Sequence, residues 1–214
     1  MLSVLSHIEV VNLAGPVDHW AERTAEIEKR SPEVIAGAPF VSGQALLSTG
    51  STVRGAMVRG IDPAAEPKVS DLAQAVRLGR ITDLKPGKFQ IILGEVTLIV
   101  PKGNMTPAGF VPRMKQMTVA AVVQSGHYEF DSTLALMHVD DAAVLYRTGG
   151  PTGIRLKIAD LYEAPKVASR IGSALPAGWY ASDWTMQNRT WFAAVQVEKR
   201  MMAIILFLIV LVGA

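Results

Sequence analysis

Residues Val96 to Val123 read VTLIVPKGNMTPAGFVPRMKQMTVAAVV. Val96–Val100 and Met117–Val123 are strongly apolar and rich in β-branched residues, so both read as strands. Pro101 to Gln116 connects them and far exceeds the two to five residues of an ordinary hairpin loop. Long ordered connections are often functional. Met105, Phe110, Val111 and Met114 supply apolar groups that a solvated loop does not need, and Pro107 and Pro112 stiffen the segment and lower the entropy cost of docking. No acidic residue occurs from Val96 to Tyr128, while Lys102, Arg113 and Lys115 are present. Apolar anchors beside unopposed positive charge describe a protein-binding arm. A hairpin folded back on its own domain satisfies the same pattern.

Outward from this segment, strands and helices mix without regular alternation, which predicts an α+β fold. His7–Leu13 reads as a strand, and Pro16 and Asp18 announce a helix to Arg30 that Pro32 stops. Val34–Val41, Gln44–Ser48 and Thr52–Ile61 read as short strands divided by Gly and Ser. Pro63 and Pro67 punctuate a loop that marks the weakest connection, a candidate subdomain boundary. Ser70–Leu78 reads as a short helix ending at Gly79, and Pro86-Gly87 as a turn before the strand Phe89–Leu93. Tyr128–Met137 is expected to be extended, and Asp140–Tyr146 helical with an acidic start. Ile154–Ile158 alternates with Arg155 and Lys157 and is expected to be a half-exposed strand. Glu163–Leu175 is an amphipathic helix, and Trp179–Trp184 a strand. From Asn188 the pattern is one helix running into the apolar end.

That end, Met201 to Ala214, reads MMAIILFLIVLVGA, without a charged or strongly polar side chain. Fourteen helical residues span about 21 Å, short of a hydrocarbon core of about 30 Å. A buried core helix is the plain alternative. The lack of a polar stripe, the bulky aliphatic content and the preceding Glu198-Lys199-Arg200 favour the start of a membrane span. Its lipid-facing residues would include Met201, Ile204, Ile205, Leu206, Phe207, Leu208, Ile209, Val210 and Leu211. No secretory signal peptide is visible, and Met1–Leu5 reads as the last turn of a preceding span.

The sequence offers little chemistry. It contains no cysteine, so disulfides and thiolate metal sites are excluded. No phosphate-binding G-x-x-x-x-G-K-[ST] occurs, and Gly149–Gly153 reads as a plain loop. The four histidines lack ligand spacing. Asp140-Asp141 reads as a helix cap rather than a catalytic pair, and no context places a nucleophile. No catalytic residue, metal, cofactor or nucleic-acid partner is expected.

SHIEVVN (Ser6–Asn12), TPAGFVPRMKQMTVAAVVQSGHYEFDSTLALMHVDDAAVLYR (Thr106–Arg147) and VEKRMMAIILFLIVLV (Val197–Val212) together resemble the lipoprotein-releasing ABC transporter permeases of the LolC/LolE family. The resemblance implies a MacB-like periplasmic domain of two mixed subdomains over 6–197, with a protruding β-hairpin, the Hook, at about 101–118. It implies that 1–5 are the remnant of a first span and 198–214 the start of the next. It further implies an inner-membrane subunit that releases outer-membrane lipoproteins to the periplasmic chaperone LolA, driven by a separate ATPase, LolD, beside a second permease subunit, LolE-like or a second copy. Carried onto this chain, Pro107, Phe110, Pro112 and Met114 would fill the chaperone's apolar cavity, Arg113, Lys115 and Gln116 would make polar contacts, and Val111 would belong to the same partner-binding segment. The family usually has an extra helix and a Gly-Asp turn between Gly94 and Glu95, which this chain lacks. The other function classes open to the sequence are a MacB-like permease of efflux or cell-division type, or a soluble domain with a small-molecule pocket.

Overall fold

The computed structural model describes residues 6–49, 52–93, 104–106, 109–111, 115–124, 133–187, 197–198 and 200–206. Its frame is a nine-stranded mixed sheet. The strands are β1 (Ile8–Asn12), β2 (Val34–Thr49), β3 (Thr52–Ile61), β4 (Val76–Leu78), β5 (Gln90–Leu93), β8 (Thr118–Val123), β9 (Leu134–His138), β10 (Gly153–Ile158) and β11 (Trp179–Asp183). Their order is β11-β1-β10-β2-β3-β9-β5-β8-β4. The pairs β3–β9 and β5–β8 are parallel and the others antiparallel. β6 (Asn104–Thr106) and β7 (Gly109–Val111) form a separate two-stranded sheet. The helices are α1 (Trp20–Arg30), α2 (Glu66–Val69), α3 (Val139–Tyr146), α4 (Ala164–Ala174) and α5 (Trp184–Gln187).

Apolar clusters sit at both ends of this one sheet. At the β11 end, Ile8, Val10, Ile154, Leu156 and Ile158 alternate onto the face covered by α1 and α4, where they meet Ile27, Val167 and Ile171. At the other end, Val41, Ala45, Leu47, Val58, Ile91 and Met137 pack beneath α3. The opposite face there carries Ile61, Ile92, Leu136 and Val123, covered by Leu72, Ile81 and Leu84. Alternate residues of β5 thus serve different cores, which the two-residue strand period requires.

β2 joins the two ends. The sequence suggested two short strands split by Gly and Ser, but β2 runs unbroken for 16 residues. Its glycines are close-approach positions rather than breaks. A Cβ at Gly37 would lie 2.5 Å from Thr24 Cγ2, and one at Gly43 would lie 2.4 Å from the Tyr146 ring. Each glycine lets a helix settle directly on the strand.

Three further expectations change. Ser70–Leu78 is not one helix: Leu72–Ala75 form a 3₁₀ turn that passes into β4. β10 is not half-exposed, because Arg155 is wholly buried and pairs with the equally buried Glu66 of α2. The Pro63–Pro67 stretch is therefore no loose boundary. It delivers α2 onto the sheet, where Ala65 and Val69 pack on Ala38 and Glu66 also accepts a hydrogen bond from the Ser70 hydroxyl.

Candidate functional site: a two-stranded hairpin and its foot

β6 and β7 pair in the register Asn104↔Val111, Met105↔Phe110 and Thr106↔Gly109, which leaves a two-residue connection at 107–108. This subdivides the long predicted connection into a hairpin of its own. Among the described residues the two strands pair only with each other. Isolated two-stranded hairpins are marginal in water and need packing against something else.

Of the residues proposed for partner binding, Phe110 and Val111 lie on β7, directly across from Met105 and Asn104. Pro107, Pro112, Arg113 and Met114 lie outside the described residues. Lys115 and Gln116 are exposed just before β8. The Lys115 Nζ stands 4.0 Å from the centroid of the Phe89 ring, a cation–π contact at the hairpin's foot. Phe89 and Met117 pack together against the α3-side core.

Phe89 is held in an unusual way. Its φ is +48°, the left-handed region that a bulky side chain rarely adopts. The Asp141 carboxylate, on the first turn of α3, explains this. One oxygen accepts the Gly87 N–H at 2.6 Å and the other the Phe89 N–H at 2.8 Å. Gly87 itself has φ +78°, so the glycine supplies the turn and the aspartate locks its exit. The sequence reading of Asp140-Asp141 as a cap is corrected here. His138 is the capping residue, its Nδ1 accepting the Asp140 N–H at 3.3 Å. Asp141 turns inward to grip a loop more than 50 residues away. Neither the Asp141 clip nor the Phe89 seat had a local sequence signal beyond Pro86-Gly87.

Residues 197–198 and 200–206 are helical. Met201, Met202, Ile204, Ile205 and Leu206 expose between 50 % and 64 % of their surface, so this apolar helix is not packed into the domain. Phe207, Leu208, Ile209, Val210 and Leu211 lie outside the described residues, and no helix among the described ones is long and apolar enough to cross a membrane. Among the described residues no cluster of His, Asp and Glu could hold a metal ion.

The described residues thus form one mixed sheet, a separate two-stranded hairpin and an exposed apolar helical segment. The chain is 42 % identical to the lipoprotein-releasing system transmembrane protein LolC of Neisseria meningitidis, over all of this chain and 55 % of that protein. It is 35 % identical to the LolC protein of Xylella fastidiosa strain Temecula1, again over its whole length and 54 % of the relative. To the LolE protein of Haemophilus influenzae it is 21 % identical over 98 % of this chain. The resemblance to the lipoprotein-releasing permeases thus holds from end to end, and the chain is a homologue of the LolC proteins that spans about half of their length. The Neisseria alignment runs over 229 positions against 214 residues here, so it contains at least 15 positions with no residue of this chain. No family model matches. Among solved structures, the periplasmic region of MacB from Actinobacillus actinomycetemcomitans gives a TM-score of 0.46 at 14 % identity, over 86 % of this chain and 91 % of that one. The extracellular domain of the transporter YknZ gives 0.46 at 13 %, over 82 % and 99 %.

Proposed function

We propose that this chain is the periplasmic portion, with the start of the following span, of a LolC-type permease subunit. That subunit would sit in the bacterial inner membrane and release outer-membrane lipoproteins. The β6–β7 hairpin is its chaperone-docking Hook, receiving LolA. LolD supplies ATP hydrolysis, so this subunit has no catalytic role, and a LolE-like subunit or a second copy completes the permease. The reading is carried by one conjunction: end-to-end homology with LolC proteins and a hairpin that pairs with nothing else among the described residues. The unopposed cationic charge of 96–128 supports an acidic or electronegative rim on the partner. The exposed apolar helix at 200–206 supports the membrane tether.

Site-specific photo-crosslinking from Phe110 and Met114 in bacterial envelopes tests the docking arm. Capture of LolA from both positions is the expected result. Silence at both, with the subunit present at normal level, overturns the Hook assignment. LolA pull-down also separates this reading from an efflux or cell-division permease, which would lack the Hook.

A further inference from the structure

Among the described residues, three that are not glycine take a positive φ: His19, Phe89 and Arg147. His19 and Arg147 stand at helix boundaries, before α1 and after α3. Phe89 stands before a strand, β5. Elsewhere in the chain glycine carries this conformation, at Gly79, Gly87, Gly149 and Gly178. Glycine or asparagine at 89 would meet the turn's backbone requirement at little cost. The ring is what phenylalanine adds, and a backbone held in a sparsely populated region points to a role for it.

Phe89 ties three parts of the fold together. Its N–H donates to the Asp141 carboxylate at 2.8 Å. Its carbonyl accepts the Thr118 N–H at 3.4 Å, at the start of β8. Its ring packs with Met117 against the α3-side core and lies 4.0 Å from the Lys115 ammonium. Lys115 has no ion-pair partner among the described residues, and no acidic residue from Val96 to Tyr128 competes for it. Residues 112–117 connect β7 to β8. With Lys115 seated on the ring, only 112–114 remain between a fixed point and the hairpin strand. A shorter free connection restricts the directions in which the hairpin can swing, which is preorganisation for docking.

We infer that Phe89 is a positioning residue: through Lys115 its ring aims the second leg of the β6–β7 hairpin toward the partner. The inference rests on the docking reading for what the hairpin meets, but not for how the hairpin is held.

The chain has no cysteine, so spin labels can be placed selectively by Thr106→Cys on β6 and Val144→Cys on the exposed side of α3. Pulsed electron resonance on the full chain in phosphatidylcholine nanodiscs then reads the distance distribution between hairpin and sheet. Phe89→Leu keeps an apolar side chain beside Met117 but removes the ring, and the distribution should broaden. Phe89→Tyr restores the ring and should restore the parental width. Phe89→Leu combined with Lys115→Gln should be no broader than Phe89→Leu alone, because the two residues act through one contact. Without labels, affinity for purified LolA should fall about two- to fivefold in Phe89→Leu, the size of one exposed cation–π contact, and recover in Phe89→Tyr. A purely structural Phe89 would lower the thermal midpoint and leave the width unaltered; that result overturns the inference, as does a broadened width with LolA affinity unchanged. A parent chain that does not bind LolA overturns the docking reading instead, and the width still decides whether Phe89 positions the hairpin.

Discussion

Replacing Asp141 with Ala is the sharpest test of how the hairpin's foot is held. The side chain is only 2 % exposed and accepts two backbone N–H groups, from Gly87 and Phe89. A buried donor stripped of its partner costs about 1–3 kcal/mol. Gly87 lies on the solvent side of the loop, so water can rescue its N–H, and the lower half of the summed range applies, about 2–4 kcal/mol. In a domain of this size that lowers the thermal midpoint by roughly 4–16 °C. A second effect is local. Phe89 is no longer held at φ +48° and can relax to negative φ, which carries its ring away from Lys115. Hydrogen exchange should therefore rise at 87–90 and 115–118 before it rises in β1 or β10. Asp141→Asn keeps one acceptor but turns its amide against the other N–H, so it should resemble Asp141→Ala. A loss below about 0.5 kcal/mol, the ordinary scatter of surface substitutions, or unchanged exchange at 115–118, refutes the clip.

Two other outcomes follow from buried charge. Glu66→Ala leaves the fully buried Arg155 guanidinium unpaired and should cost about 3–5 kcal/mol, whereas Glu66→Leu with Arg155→Met should recover most of it; denaturant midpoints of the single and double variants decide. Burial holds the His7 imidazole below its ordinary pKa of 6.5, against the opposing effect of its hydrogen bond with Ile158. The unfolded chain then takes up its proton at higher pH than the folded one, so the contribution is complete above pH 6.5 and is lost as pH falls toward the lower folded value. The thermal midpoint of His7→Gln should be flatter than that of the parent across this window.

Local patterning carried much of the fold. The apolar alternation of Ile8, Val10, Ile154 and Leu156, the helical spacing in Asp18–Arg30 and Glu163–Leu175, and the arm-like composition of 101–116 were all legible. Three features escaped because they are long-range. Gly37 and Gly43 resemble strand breakers until Thr24 and Tyr146 are seen resting on them. Arg155 looks like the solvent side of an alternating strand until Glu66, 89 residues earlier, is brought over it. Asp141 looks like a helix cap until the Gly87–Phe89 turn arrives beneath it. In each case a residue's usual local role was displaced by a tertiary partner that no window of sequence contains. The β6–β7 hairpin was legible only as an overlong connection between two apolar strands; its own two strands are the addition of the structure.

The position of the hairpin on the sheet bears on how a membrane event reaches it. The chain leaves the sheet for the apolar helix after edge strand β11, while the hairpin is rooted before β8, the eighth strand in the order. Seven interstrand spacings at about 4.8 Å separate them, roughly 34 Å. β2 runs unbroken through the middle and takes part in both apolar cores, so the two ends are stitched by backbone hydrogen bonds rather than by a linker. A tilt of about 10° imposed at the β11 end would displace the hairpin's foot by about 6 Å over that lever. In the proposed permease the helix predicted from Asn188 onward supplies such a tilt only if it is stiff. Inserting Gly-Gly after Val195 should therefore leave ATP hydrolysis by the intact complex in place while lipoprotein release falls. Release that stays coupled to hydrolysis with the insertion present would mean that the stroke reaches the hairpin by another route, and the lever would have no role.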